Sequence, residues 1–172
     1  MHITVTQVIS STPSWVWILF ILLFIMGIKN SQERPVVFSR MFIAPLIFMA
    51  WGLRTITTTF PQLGLTLTSY MIFIIPGFLI GYFLNKRYQS FVRIESVVFK
   101  KKSYLPLFIV LLNFIVKYIL NVMLIFYHSS VFHIIYSSAN GLTVGLFFGG
   151  IVYTFYMQSK LKNSISGRRG IN

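Results

Sequence analysis

The chain has 172 residues, of which 56% belong to the apolar and aromatic set and only 10% are charged. Soluble domains average about a quarter charged, so this chain has too few polar groups to cover a water-facing surface, and an all-α integral membrane protein is expected. Fifteen Lys and Arg against two acids, Glu33 and Glu95, give a formal charge of +13; in so apolar a chain that excess marks loops facing anionic lipid headgroups rather than nucleic acid. The absence of cysteine excludes disulfides, thiol redox relays and thiolate metal sites.

A helix needs about 20 mostly apolar residues to cross the hydrocarbon, and five stretches qualify. The first, 14–28, is the shortest, with Thr12 and Pro13 ahead of it as N-cap and first helical residue. Neither Lys nor Arg precedes it and no small-residue cleavage site follows Gly27, so it reads as a retained anchor rather than a cleaved signal. The others are 41–60, 65–84, 104–127 and 134–157. Together they make one membrane domain over 1–160, followed by a disordered basic tail, 161–172. Between the third and fourth stretches, residues 91–99 alternate apolar and polar. They read either as a short β-hairpin turning near Glu95 and Ser96 or as a basic loop lying on headgroups.

Loop charge sets the expected orientation. Apart from Arg54 and Lys117, every Lys and Arg falls in 29–40, in 85–103 or after the fifth stretch at 160–169, all on one side of a five-crossing chain. The positive-inside rule then places the N-terminus out and the C-terminus in. Trp15 and Trp17 at the outer end of the first helix suit an aromatic belt.

The motif T-P-S-W-V-W at 12–17 and the run P-L-F-I-V-L-L-N-F-I-V-K-Y at 106–118, with Phe114, Lys117 and Tyr118, resemble those of an uncharacterised bacterial family of small multi-pass inner-membrane proteins. R-M-F-I-A-P-L and G-L-T-V-G-L-F extend the resemblance over nearly the whole chain. Two places depart from that pattern: Lys102-Ser103-Tyr104 stands in place of Gly-Ser-Trp, and Gly150 stands where an arginine often follows the glycine. The resemblance implies an architecture and a location in a bacterial inner membrane; it implies no activity.

Few residues are equipped for chemistry. His2, His128 and His133 fall on the outer side without a carboxylate or thiolate to complete a metal site, and they read as exposed loop histidines. No cofactor is implied. A hydrolase or transferase needs an acid/base pair or an activated nucleophile, and no such spacing occurs, so an enzyme is the weakest of three readings. Gly141, Gly145 and Gly149, with Gly77 and Gly81, repeat every fourth residue and offer a groove for close helix approach. The groove serves either a homodimer seam or, as favoured here, packing of the fifth helix on the third.

Arg54 and Lys117 are the basic residues far from a helix end. Each lies about 20 Å from the inner end of its helix at 1.5 Å per residue, hence at similar depth. Asn113, Lys117 and Asn121 form one polar stripe. A mid-helix lysine costs about 2.5–3.5 kcal/mol on insertion scales, so it usually faces a bundle interior or a wet cavity; the alternative for both cations is snorkelling outward. If they share a cavity, a carboxylate or phosphate between them would relieve their repulsion, with Thr58, Asn113, Asn121 and Tyr118 completing the lining. The functional expectation is a small membrane protein binding an anionic small molecule or lipid within its bundle. Its alternative is a non-catalytic subunit or assembly factor docked on another membrane protein.

Overall fold

A computed structural model describes residues 13–94 and 97–166. About 80% of the described residues are helical, and among them are five helices long and apolar enough to cross a membrane. In chain order the elements are α1 (Ser14–Ser31), β1 (Arg34–Pro35), the single turn α2 (Phe38–Met41), α3 (Ile43–Thr59), α4 (Leu63–Tyr88), β2 (Phe91–Ile94), β3 (Val97–Lys100), α5 (Leu105–Leu124) and α6 (Ser130–Ser166). Pro13 occupies the N-cap of α1 rather than its first helical position, one residue off the expected cap; Thr12 lies outside the described residues.

Helix α6 is the axis of the bundle, touching α3, α4, α5 and β3, while α1 packs on α5. Its contact with α4 is set by glycine. A Cβ on Gly141, Gly145 or Gly149 would run into the α4 backbone around Tyr70, Ile74 and Phe78, and one on Gly77 or Gly81 into the backbone at Leu142 or Leu146. With only hydrogens between them, the two backbones meet directly, as small-residue stripes permit. The bundle packs two apolar clusters, one around Ile56, Tyr70, Leu120 and Tyr136, the other around Leu23, Phe48, Val110 and Phe114.

The alternating segment at 91–99 forms a hairpin, and a third strand joins it: β1 pairs antiparallel with β3, giving the order β1-β3-β2. The expected turn residues Glu95 and Ser96 lie outside the described residues. On β3, Val98 and Lys100 are buried and alternate with more open neighbours, so one face of the sheet closes over the end of the helix bundle. Pro35, which cannot donate to a ladder, sits on the edge strand.

Two boundary expectations need correction. Helix α6 does not stop at 157 but runs through Ser166, into the stretch expected to be a disordered tail. The reason is visible at the sheet: Arg93 on β2 donates to the carbonyls of Leu161 (2.7 Å) and Lys162 (3.1 Å) and holds this end of the helix. Residues 167–172 lie outside the described part.

Candidate functional site

Two polar regions lie inside the bundle. The first surrounds Lys117, which is 1% exposed. Its ammonium donates to the Asn140 carboxamide oxygen and lies 5.9 Å from the centre of the Phe48 ring. Gly52 makes the room: a Cβ there would come within 2.7 Å of Asn140 Oδ1 and 3.0 Å of Lys117 Nζ. Asn140 Nδ2 in turn donates to the Tyr136 carbonyl at 2.8 Å, Asn121 Nδ2 donates to the Lys117 carbonyl at 2.7 Å, and the Tyr136 hydroxyl reaches Asn121 Oδ1 at 3.4 Å. Asn113, fully buried, donates to the Ile109 carbonyl at 3.0 Å. This is a closely packed polar knot joining α3, α5 and α6.

Arg54 is not part of it. The buried residues of α3 are Ala44, Pro45, Phe48, Gly52 and Ile56, one face at helical spacing. Arg54 is two residues, about 200° of helix rotation, from Gly52, and its side chain is exposed. Thr58 is exposed with it and donates to the Arg54 carbonyl at 2.8 Å. The structure therefore brings Lys117, Asn113 and Asn121 to one interior stripe and leaves Arg54 and Thr58 on the opposite face of α3. Similar depth said nothing about azimuth, and a single small anion cannot bridge cations on opposite faces. Tyr118 is half-buried and stacks on Phe114, with ring centroids 6.3 Å apart. His133 also departs from expectation. It is buried, 6% exposed, in the first turn of α6 and stacked on Phe60 at 4.2 Å, whereas His128 is exposed.

The second region is a cavity of about 80 Å³ at the sheet end of the bundle. Since one water needs about 10–15 Å³ measured this way, it has room for several. Its polar lining comes from Asn30, Arg34, Asn85, Lys100 and Thr154. Arg34 and Lys100 are direct partners in the β1–β3 register, so their side chains leave the same face of the sheet. Lys100 stands at an inward position in line with Val98, where strand alternation calls for an apolar residue, and is only 8% exposed. Opposite, Gly150 lets Asn85 come close, since a Cβ there would meet Asn85 Nδ2 at 2.6 Å. Asn85 Nδ2 donates to the Gly81 carbonyl, and Thr154 Oγ1 to the Gly150 carbonyl, both at 2.9 Å.

The electrostatics of this cavity are one-sided. Burial first, then Arg34, pushes the Lys100 ammonium down to about 7. Burial and Arg40 hold the Arg34 guanidinium below its ordinary value. The charges acting on the pair are thus themselves basic. Of the two acids in the chain, Glu33 is exposed and Glu95 lies outside the described residues. Cations crowded like this favour an anion between them.

Neither Arg34 nor Lys100 was singled out from the sequence, where both are lost among the basic residues of their loops. The available signal was the i, i+2 relation of Lys100 to Val98 in a segment already read as alternating. No group of three or more His, Cys, Asp or Glu side chains that could hold a metal ion occurs among the described residues. No protein-family model, curated protein or solved structure matches the chain.

Proposed function

We propose that this is a multi-pass protein of a bacterial inner membrane, N-terminus out and C-terminus in, that binds an anionic small molecule or lipid. The site is the cavity of Arg34 and Lys100 rather than the middle of the bundle. In this orientation the sheet end faces the cytoplasm. The observation that carries the reading is the pair of cations on opposed strand positions, turned into one cavity, with Arg34 acting on Lys100 and Arg40 on Arg34. The Lys117 knot supports the same choice from the other direction: its ammonium already has an acceptor in Asn140 and is packed against Gly52 and Phe48. The basic loops that set the orientation supply a positive approach to the cavity, and the bilayer's anionic headgroups are their general partner.

Two experiments test this. For orientation, a reporter fused after Asn172 should be active only in its cytoplasmic form, and an N-terminal tag should be reachable from outside; opposite accessibility at either end would overturn the topology. For binding, native mass spectrometry of the detergent-extracted protein should show an anionic adduct that is lost in the Arg34→Gln/Lys100→Gln variant. An adduct that persists there would place the ligand elsewhere.

A further inference from the structure

The anion-binding reading leaves open what carries the anion, and the wall of the cavity bears on that. Its polar groups gather at the sheet end, where Lys100, Arg34 and Asn30 lie on the sheet and on the end of α1 that leads to it. Pro35, Val36, Val37 and Met41 line it beside them, and the rest of the lining belongs to the long apolar helices α3 to α6. Along α6 it runs from Thr154 back to Leu146, which at 1.5 Å per residue is about 12 Å into the bundle. Over that distance the wall becomes apolar: Ala44 from α3, Val110 from α5, and Leu146, Phe147 and Ile151 from α6. A soluble anion would find hydrogen-bonding groups at only one end of such a site, whereas an amphiphile is polar and apolar in just this order. The cavity's 80 Å³ suits a phosphate and its first carbons, not a whole lipid, so the chains of a bound lipid would extend beyond it.

We infer that the ligand is a phosphate-headed amphiphile, its phosphate held between Arg34 and Lys100 and its first carbons against Ala44, Val110 and Phe147. The inference rests on the anion-binding reading above and adds the chemical class. The shared chemistry is a phosphate ester, and its two sources are a membrane lipid and a free headgroup. The guanidinium supplies paired donors to two phosphate oxygens and the ammonium a compact point charge. The lowered affinity of Lys100 for its proton, caused by burial beside Arg34, is relieved by the same anion.

The test uses the full chain in detergent with three probes: dihexanoyl phosphatidylglycerol, dihexanoyl phosphatidylcholine with the same tails but no net charge, and glycerophosphoglycerol, the first probe's headgroup without tails. The expected result is that phosphatidylglycerol binds at least tenfold more tightly than either of the others. The Arg34→Gln/Lys100→Gln variant should lose that advantage, while Lys100→Arg, which keeps the charge, and Arg54→Gln, on the exposed face of α3, should retain it. If the headgroup alone binds as tightly as the lipid and with the same dependence on Arg34 and Lys100, the amphiphile inference is overturned and the anion site stands. Phosphatidylcholine binding equal to phosphatidylglycerol overturns the role of charge. Binding of all three unchanged in the double variant, or absent from the parent, overturns the anion-binding reading itself.

Discussion

Two lysines in this protein are almost wholly buried, and their surroundings differ in kind. Lys117 sits among the long apolar helices with an amide oxygen supplied by Asn140, a glycine making space and an aromatic face nearby. Lys100 sits at the sheet end beside a second cation and an open cavity. Burying a charge is tolerated where the chain itself supplies the partner. At Lys117 the partner is built in, and the cation becomes part of the packing. At Lys100 the chain supplies another positive charge instead, which makes sense physically when the partner is a ligand. On the proposed function, the contrast separates a residue that holds helices together from a residue that takes an anion.

The largest expected effect removes both environments at once. Helix α6 carries Asn140 to Lys117 and Gly150 and Thr154 to the cavity, and the glycine seam fixes it against α4. Gly145→Leu must drive two backbones apart, so the yield of monodisperse protein should collapse and any survivor should melt far below the parent. A Gly145→Leu protein as stable as the parent would show that the seam does not hold α6 in place.

Next in size, Asn140→Leu strands the Lys117 ammonium without its acceptor. A hydrogen bond to a buried charged group contributes about 1.5–3 kcal/mol, so a clear fall in thermal stability is expected. Adding Lys117→Met should recover most of it, because the uncompensated charge is then gone. If the double variant is as unstable as Asn140→Leu alone, Asn140 stabilises the bundle by something other than its bond to Lys117.

At the cavity the expected stability effect has the opposite sign. Lys100→Gln removes a cation crowded by Arg34, so the unliganded protein should be as stable as the parent or more so, even as anion binding falls at least tenfold. Loss of stability together with binding would make Lys100 a structural residue like Lys117.

A pH titration sharpens the same point. Lys100 gives up its proton near pH 7 in the unliganded protein, and an anion binds the protonated form better. Affinity for a phosphodiester, whose own charge is constant in this range, should therefore be highest below pH 7. It should fall up to about tenfold per unit above it, until the raised Lys100 pKa of the complex is passed. The groups acting on this titration are Arg34 and, through it, Arg40, neither of which changes charge in the window. A flat profile from pH 6 to 9 would mean that Lys100 carries no part of the binding. The smallest effect is expected from Lys117→Met, which should leave ligand affinity within a factor of two.

The five long helices were legible in the sequence because their signal is a sum over many residues: hydropathy along a 20-residue window survives any error at the ends. The hairpin was legible as an alternative because alternation is local. Its third strand was not, since Arg34 and Pro35 are too few to carry a period, and their pairing with β3 depends on contacts some sixty residues away in sequence. Lys117 could be singled out because an isolated charge in an apolar helix is conspicuous. Its separation from Arg54 could not be read from depth; it follows from the Ala44–Phe48–Gly52–Ile56 face of α3, which was present in the sequence but went unused. The cavity was hidden for a further reason. Its two cations belong to different loops rich in Lys and Arg, and only the sheet register reveals that they share a face.

The most direct measurement is the NMR response of the lysine side chains. In protein carrying 13C-labelled lysine, with signals assigned by single Lys→Arg substitutions, dihexanoyl phosphatidylglycerol should move the Lys100 Cε signal as Lys100 takes up its proton, while the Lys117 signal stays in place. A shift at Lys117 with Lys100 unmoved would contradict the account and return the ligand to the middle of the bundle.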